Sequence, residues 1–200
     1  MPKPVFQHIL PRNIYVQTTL MTQGVYYDVL GENPSVFQGD LERPVENITW
    51  GQAVDFCNKY SEAMGYQPVY FKTKKGDVKW DKKKRGYRLP TLVEWKYLAR
   101  ARKPTYYSGS SKLDRVGWYG LNSEGVTHPV GLKAPNDFGL YDMSGNVAEW
   151  CWDGPDLNSG LKYAMGGSWA DMSEKCSLNS DAYAQYAHVG SVMVGLRVII

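Results

Sequence analysis

The sequence has little of what marks several protein classes. Its 200 residues include three cysteines and three histidines. No stretch approaches the roughly 18 consecutive apolar residues of a membrane-spanning helix. Met1 to Leu10 lack the charged-then-apolar layout of an export signal, so an exported form is expected to have lost its signal. Cys57, Cys151 and Cys176 are too few and too widely spaced for a zinc cluster. Their odd number leaves at least one free thiol, and all three are expected to be small buried apolar residues. His8, His128 and His188 have no HxH or HExxH spacing, and a structural role is expected for His128. Phosphate loop, dinucleotide fingerprint and serine elbow are all missing. There is no internal repeat, linker or low-complexity tract.

What is present is a globular composition, 43% apolar and 22% charged, with an excess of 7 Trp and 15 Tyr. Such a composition excludes disorder, coiled coil and collagen-like chains, and the length suits a single domain over residues 1–200. The net charge of +3 is unevenly spread. Lys72 to Arg88 hold nine Lys/Arg against two Asp, and the rest of the chain is mildly acidic. A basic stretch suggests a polyanion partner. Here Asp77 and Asp81 interrupt it and no recognition motif surrounds it. It is read as a Lys-blunted hairpin, and no nucleic-acid partner is expected.

Two helices are well marked in the first half. Thr49 with Gln52 and Thr91 with Glu94 are capping boxes. Ala53, Phe56, Cys57, Tyr60 and Met64 follow the first at helical spacing, and Leu92, Trp95, Leu98 and Ala99 follow the second. Between them Val69 to Thr73 and Val78 to Asp81 flank a Gly-containing turn, which predicts a β-hairpin. From Tyr106 onward helical periodicity gives way to recurrent Gly, Asn, Asp, Ser and Pro. Such long loops need packed aromatics or ions to hold them. Val192 to Ile200 reads as a buried strand. Helices first and irregular β structure later predict an α+β fold, with two helices, an irregular antiparallel sheet and long loops. Asn47-Ile48-Thr49 is formally a glycosylation sequon, but Thr49 already has a capping role.

Several motifs carry a family likeness. They are Met21-Thr22-Gln23 with Asn33-Pro34-Ser35, Pro44-Val45-Glu46 with Trp50, and Gly86-Tyr87-Arg88-Leu89-Pro90-Thr91 with Glu94-Trp95. Thr127-His128-Pro129-Val130-Gly131 is another. Phe138-Gly139-Leu140-Tyr141-Asp142-Met143-Ser144-Gly145-Asn146-Val147 with Glu149-Trp150 is the longest. Gly166-Gly167-Ser168-Trp169 and Gly195-Leu196-Arg197-Val198 close the series. From about Tyr15 to Ile200 the chain thus resembles the formylglycine-generating enzyme, or sulfatase-modifying factor, domain. The resemblance implies that family's C-type-lectin-like fold. It also implies a structural calcium ion held by Asp142, Gly145, Val147 and Glu149, an oxygen-rich set. Family enzymes use two cysteines five residues apart to hold copper and activate oxygen. Asp171 stands at the first of these positions and Cys176 at the second. One thiol cannot make the two-thiolate site that suits Cu(I). The oxidase chemistry is therefore expected to be absent, and no cofactor is required. The alternative is a formylglycine-generating-type oxidase or another enzyme of the family, with Cys176 as its thiol.

The last residues resemble more closely the variable proteins of diversity-generating retroelements. Their cassette typically opens with Gly-Gly-Ser-Trp and closes with Gly-(Phe/Leu)-Arg-Val, as residues 166–200 do here. Between these marks, Tyr, Ser, Ala, Asp, Asn and His mix without period, like a paratope. The resemblance implies a non-catalytic, receptor- or adhesin-like protein on a bacterial surface, whose ligand is a protein or other macromolecule. Gly166, Gly167, Trp169, Cys176, Leu178, Leu196 and Val198 are expected to be scaffold. The expected ligand contacts are Ala170, Asp171, Met172, Lys175, Ser177, Asn179, Asp181, Tyr183, Gln185, Tyr186, His188, Ser191 and Met193.

Overall fold

A computed structural model describes residues 5–9, 13–156 and 159–200, with the side chains of 6–9 outside the description. The first two strands, β1 (Phe6–Ile9) and β2 (Ile14–Gln17), pair antiparallel. His8 lies in β1, so its expected role as a lone histidine falls outside the described side chains. Helices α1 (Gln23–Leu30), α2 (Trp50–Ala63) and α3 (Leu92–Arg100) follow, the last two flanking the hairpin β3 (Tyr70–Lys72) and β4 (Val78–Trp80). A four-stranded sheet closes the chain. It comprises β5 (Ala148–Trp150), β6 (Leu161–Met165), β7 (Tyr183–Tyr186) and β8 (Val194–Gly195), in the order β7-β6-β5-β8.

The predicted elements form for the predicted reasons. Thr49 and Thr91 each accept a hydrogen bond from the backbone N–H three residues on, while Gln52 and Glu94 reach back. Ala53, Phe56, Cys57 and Tyr60 then bury one face of α2, and Trp95, Leu98 and Ala99 one face of α3. The hairpin pairs Tyr70 with Trp80 and Lys72 with Val78.

Three features depart from expectation. A third helix, α1, is capped by Thr22 and ended by Gly31 at φ 75°. The sheet is mixed, because β5 pairs antiparallel with β6 but parallel with β8. Of the buried C-terminal run only Val194–Gly195 is regular strand. The rest bonds to three separated segments: Met21 N–H donates to Leu196 O, Gln17 N–H to Val198 O, and Arg88 and Ile199 exchange bonds.

The core is built in three clusters. The largest joins α1, α2, the hairpin and the sheet around Phe56, Tyr60, Trp150 and Leu196. A second gathers Val16, Trp95, Leu98, Met165 and Ile199. A small third cluster of Tyr107, Leu113, Val116, Tyr119 and Cys176 lies under the C-terminal segment. All three cysteines are free and buried, as expected. His128 stacks on Trp118 with ring centroids 3.8 Å apart, and its Nε2 lies 2.8 Å from Ser123 O. This is the structural role expected of it. Asn47 Nδ2 donates to Pro34 O, so the sequon amide is already engaged.

Candidate functional site: the C-terminal surface

The segment from Gly167 to Met193 leaves the sheet after β6, crosses the third core cluster, returns as β7 and folds back toward β8. Its backbone is pinned at several points. Gly167 has φ +70°, and a Cβ there would lie 2.7 Å from Cys176 Sγ, so only glycine lets the two stretches meet. Trp169 ties the two ends of the segment, its backbone N–H donating to Asn146 O and its indole N–H to Val192 O. Leu178 N–H donates to Tyr106 O. Gly166, Gly167, Cys176, Leu178, Leu196 and Val198 are buried, and Trp169 is half-buried.

On this frame Ala170, Met172, Lys175, Asn179, Asp181, Tyr186 and His188 are exposed, with Met172 at 60% and Tyr186 at 56%. Asp171, Tyr183, Gln185, Ser191 and Met193 are half-buried. Met193 packs against the main core, and Gln185 Nε2 donates to Val189 O. Ser191 Oγ accepts from Met193 N–H. Asn179 Oδ1 accepts from Arg100, and the Tyr186 and His188 rings lie 5.6 Å apart. Ser177 is a correction. It was expected among the contacts, but it is 3% exposed and its Oγ closes a turn by accepting from Asn179 N–H.

Two neighbours of this surface lie far off in sequence. Gly120 N–H donates to Asp171 O, which sets the 72% exposed Leu121 near the start of the segment. Arg100 arrives from the end of α3. The roughly 50 and 80 residues that intervene leave no signal of either approach in the local pattern.

The site does not suit copper. Asp171 accepts hydrogen bonds from the Ser168 and Tyr183 hydroxyls, so its carboxylate is a brace within the fold. Burial, and then the charge of Asp171, push the Cys176 thiol up to about 12, leaving it protonated at neutral pH. Cys57 and Cys151 lie in the other two core clusters, so no second sulfur is at hand. One protonated thiol beside a carboxylate does not fit the soft two-thiolate site of Cu(I).

Of the set that the family resemblance implies for calcium, Asp142, Gly145, Val147 and Glu149, one carboxylate, Glu149, is engaged by Arg197. Arg197 Nε lies 3.2 and 3.1 Å from the two Glu149 oxygens and Nη2 lies 3.0 Å from one of them. Both residues are essentially fully buried. The guanidinium also donates to Gln17 O and Tyr141 O. A full positive charge therefore already serves Glu149, while calcium calls for roughly six to eight oxygen ligands. Asp142 Oδ2 accepts from Gly131 N–H, and its other oxygen has no hydrogen-bond partner among the described residues. Burial pushes this carboxyl up to about 6. Among the described residues no group of three or more His, Cys, Asp and Glu is placed to hold a metal.

Comparison with known proteins identifies the family and the fold. Residues 6–200 match the sulfatase-modifying factor enzyme 1-like domain. The chain is 36% identical over 175 residues to the chaperone protein LppX of Paenibacillus barcinonensis, covering 70% of this chain and 62% of that one. It is 30% identical over 150 residues to the inactive C-alpha-formylglycine-generating enzyme 2 of Bos taurus, covering 67% of this chain and 41% of that one. The chain thus spans less than two thirds of the length of either relative. Among solved structures it resembles Treponema denticola variable protein 1, with 31% identity and a TM-score of 0.87, covering 93% of this chain and 84% of that one.

Proposed function

The chain belongs to the sulfatase-modifying factor enzyme 1-like domain family, and from that premise we propose that it is a non-catalytic ligand-binding protein. Its C-terminal segment, 166–200, serves as the diversified binding surface of a retroelement variable protein. The observation that carries this reading is the division of labour within the segment. Gly167, Cys176, Ser177 and Leu178 are buried, while Ala170, Met172, Lys175, Asn179, Asp181, Tyr186 and His188 point outward from the same stretch of chain. Exposed side chains exchange at little cost, usually within about ±0.5 kcal/mol each. Such a surface can change its ligand while the fold stays constant. The likeness to Treponema denticola variable protein 1 supports the same reading. The donor set at Asp171 and Cys176 favours binding over the family's oxidase chemistry. Among the described residues no helix is long and apolar enough to cross a membrane. Display at a bacterial surface is part of the proposal.

Sequencing this locus from several isolates tests it. Substitutions should concentrate at the exposed positions above and spare Gly167, Trp169, Ser177 and Leu178. An invariant segment would overturn the reading. So would formylglycine formed on incubation with copper, oxygen and a Cys-containing sulfatase peptide.

A further inference from the structure

The closing sheet has two ends, and they differ. At the β8 end the chain near Val45 lies directly against the strand, so that a Cβ on Gly195 would come within 2.3 Å of Val45 O. At the other end is β7, which pairs only with β6 among the described residues. The direction of its backbone groups follows from the register. Cys151 N–H donates to Tyr163 O, which turns Tyr163 and Met165 toward β5, and Lys162 and Ala164 toward β7. Their partners on β7 are Gln185 and Tyr183. Ala187 N–H donates to Gly160 O in the same phase. Ala184 and Tyr186 therefore direct their N–H and C=O away from the sheet. Val189 N–H takes the Tyr186 carbonyl at 3.1 Å. The Ala184 N–H, the Ala184 C=O and the Tyr186 N–H are left without a partner among the described residues.

Natural sheets usually protect such an edge with Lys, Pro, a bulge or a covering loop. Tyr183-Ala184-Gln185-Tyr186 carries no charge and no proline, and Ala184 and Tyr186 are both exposed. This open edge lies in the middle of the proposed diversified segment.

Building on the binding reading above, we propose that the ligand is a protein that contributes an extended segment as a fifth strand along β7. The argument rests on what stays constant in a surface whose side chains change. The three free backbone groups are the same whatever residues occupy positions 184 and 186. They satisfy one residue of an added strand, in either direction. A partner that is itself a polypeptide presents equally constant N–H and C=O groups. Backbone pairing then supplies a common docking mode, while Met172, Lys175, Tyr186 and their neighbours select the partner. A glycan or a lipid has no repeating amide N–H and C=O at the spacing of a strand.

Peptides selected on the whole chain from a displayed library of random 12-residue sequences provide the probe. Ala184→Pro removes the outward N–H and leaves the β6 ladder bonds in place, a position where proline is tolerated. We expect affinity to fall about tenfold or more in this variant. A scan of N-methylated peptides against the unaltered chain is independent of whether the proline variant folds. Binding should be lost at alternate peptide positions, the period of a strand. Loss of binding in the triple variant Met172→Ala, Lys175→Ala, Tyr186→Ala, with no effect of the proline and no period of two, would overturn strand addition but keep the binding surface. Peptides indifferent to all of these changes would overturn both. A chain that sediments as a dimer, and as a monomer after Ala184→Pro, would make the occupant a second copy and overturn the proposal.

Discussion

At the scale of single residues, Asp171 and Met172 are adjacent in sequence and opposite in role. Asp171 accepts from two hydroxyls, Ser168 and Tyr183, and its backbone carbonyl accepts from Gly120. Met172 is 60% exposed. Replacing Asp171 by Ala strips two hydroxyls of their acceptor and should cost about 1–3 kcal/mol in urea unfolding. Replacing Met172 by Ala should stay within about 0.5 kcal/mol. Equal losses would mean that Asp171 does not brace the segment. The sequence marked both as contacts because residue type alone does not distinguish a carboxylate turned inward from one turned out. The same holds for Ser177, which is buried together with Cys176 and Leu178 on either side of it.

At the scale of elements, α2, α3 and the β3–β4 hairpin were legible because their signals are local. A capping box spans four residues and an apolar helix face recurs every three or four. The shorter α1 has the same grammar, Thr22 at its start and Gly31 at its end, but only two turns in which to display a period. The α3 cap also ties two elements together. Glu94 forms a paired bond to Arg88, with both N–O distances 2.8 Å, and accepts from Thr91 N–H. Burial alone would raise its carboxyl, but the hydrogen bonds and charge of Arg88 outweigh that and hold it below 4.5. A lowered value in the fold stabilises the protein above the unfolded value and is lost as pH falls through the folded one. Resistance to denaturant should therefore fall as the pH drops below about 4.5. Glu94→Gln should lower stability at pH 7 by about 1–3 kcal/mol and flatten that acid limb. An unchanged acid limb in the variant would count against this role.

At the scale of the whole molecule, Arg197 near the C-terminus reaches back to Gln17, Tyr141 and Glu149, so one buried guanidinium joins both ends and the middle of the chain. Glu149→Gln leaves that charge uncompensated and should cost about 3–5 kcal/mol. Addition of EDTA should leave the melting temperature unchanged, because Arg197 already balances the buried charge of Glu149. A fall in melting temperature on chelation would reverse that assignment. The family motifs announced the fold, since they are long, ordered and rich in the Trp and Gly residues that fix its turns and core. Sequence by itself also placed a carboxylate, Asp171, where the family resemblance implies a thiol, and a carboxylate supplies no sulfur whatever the geometry. Tertiary structure alone decided which residues of the closing segment face solvent, that Glu149 serves Arg197, and that β7 is an open edge. Each of these depends on groups tens to more than a hundred residues apart being brought within hydrogen-bonding distance, and such distances are set by packing and leave no periodicity in the chain.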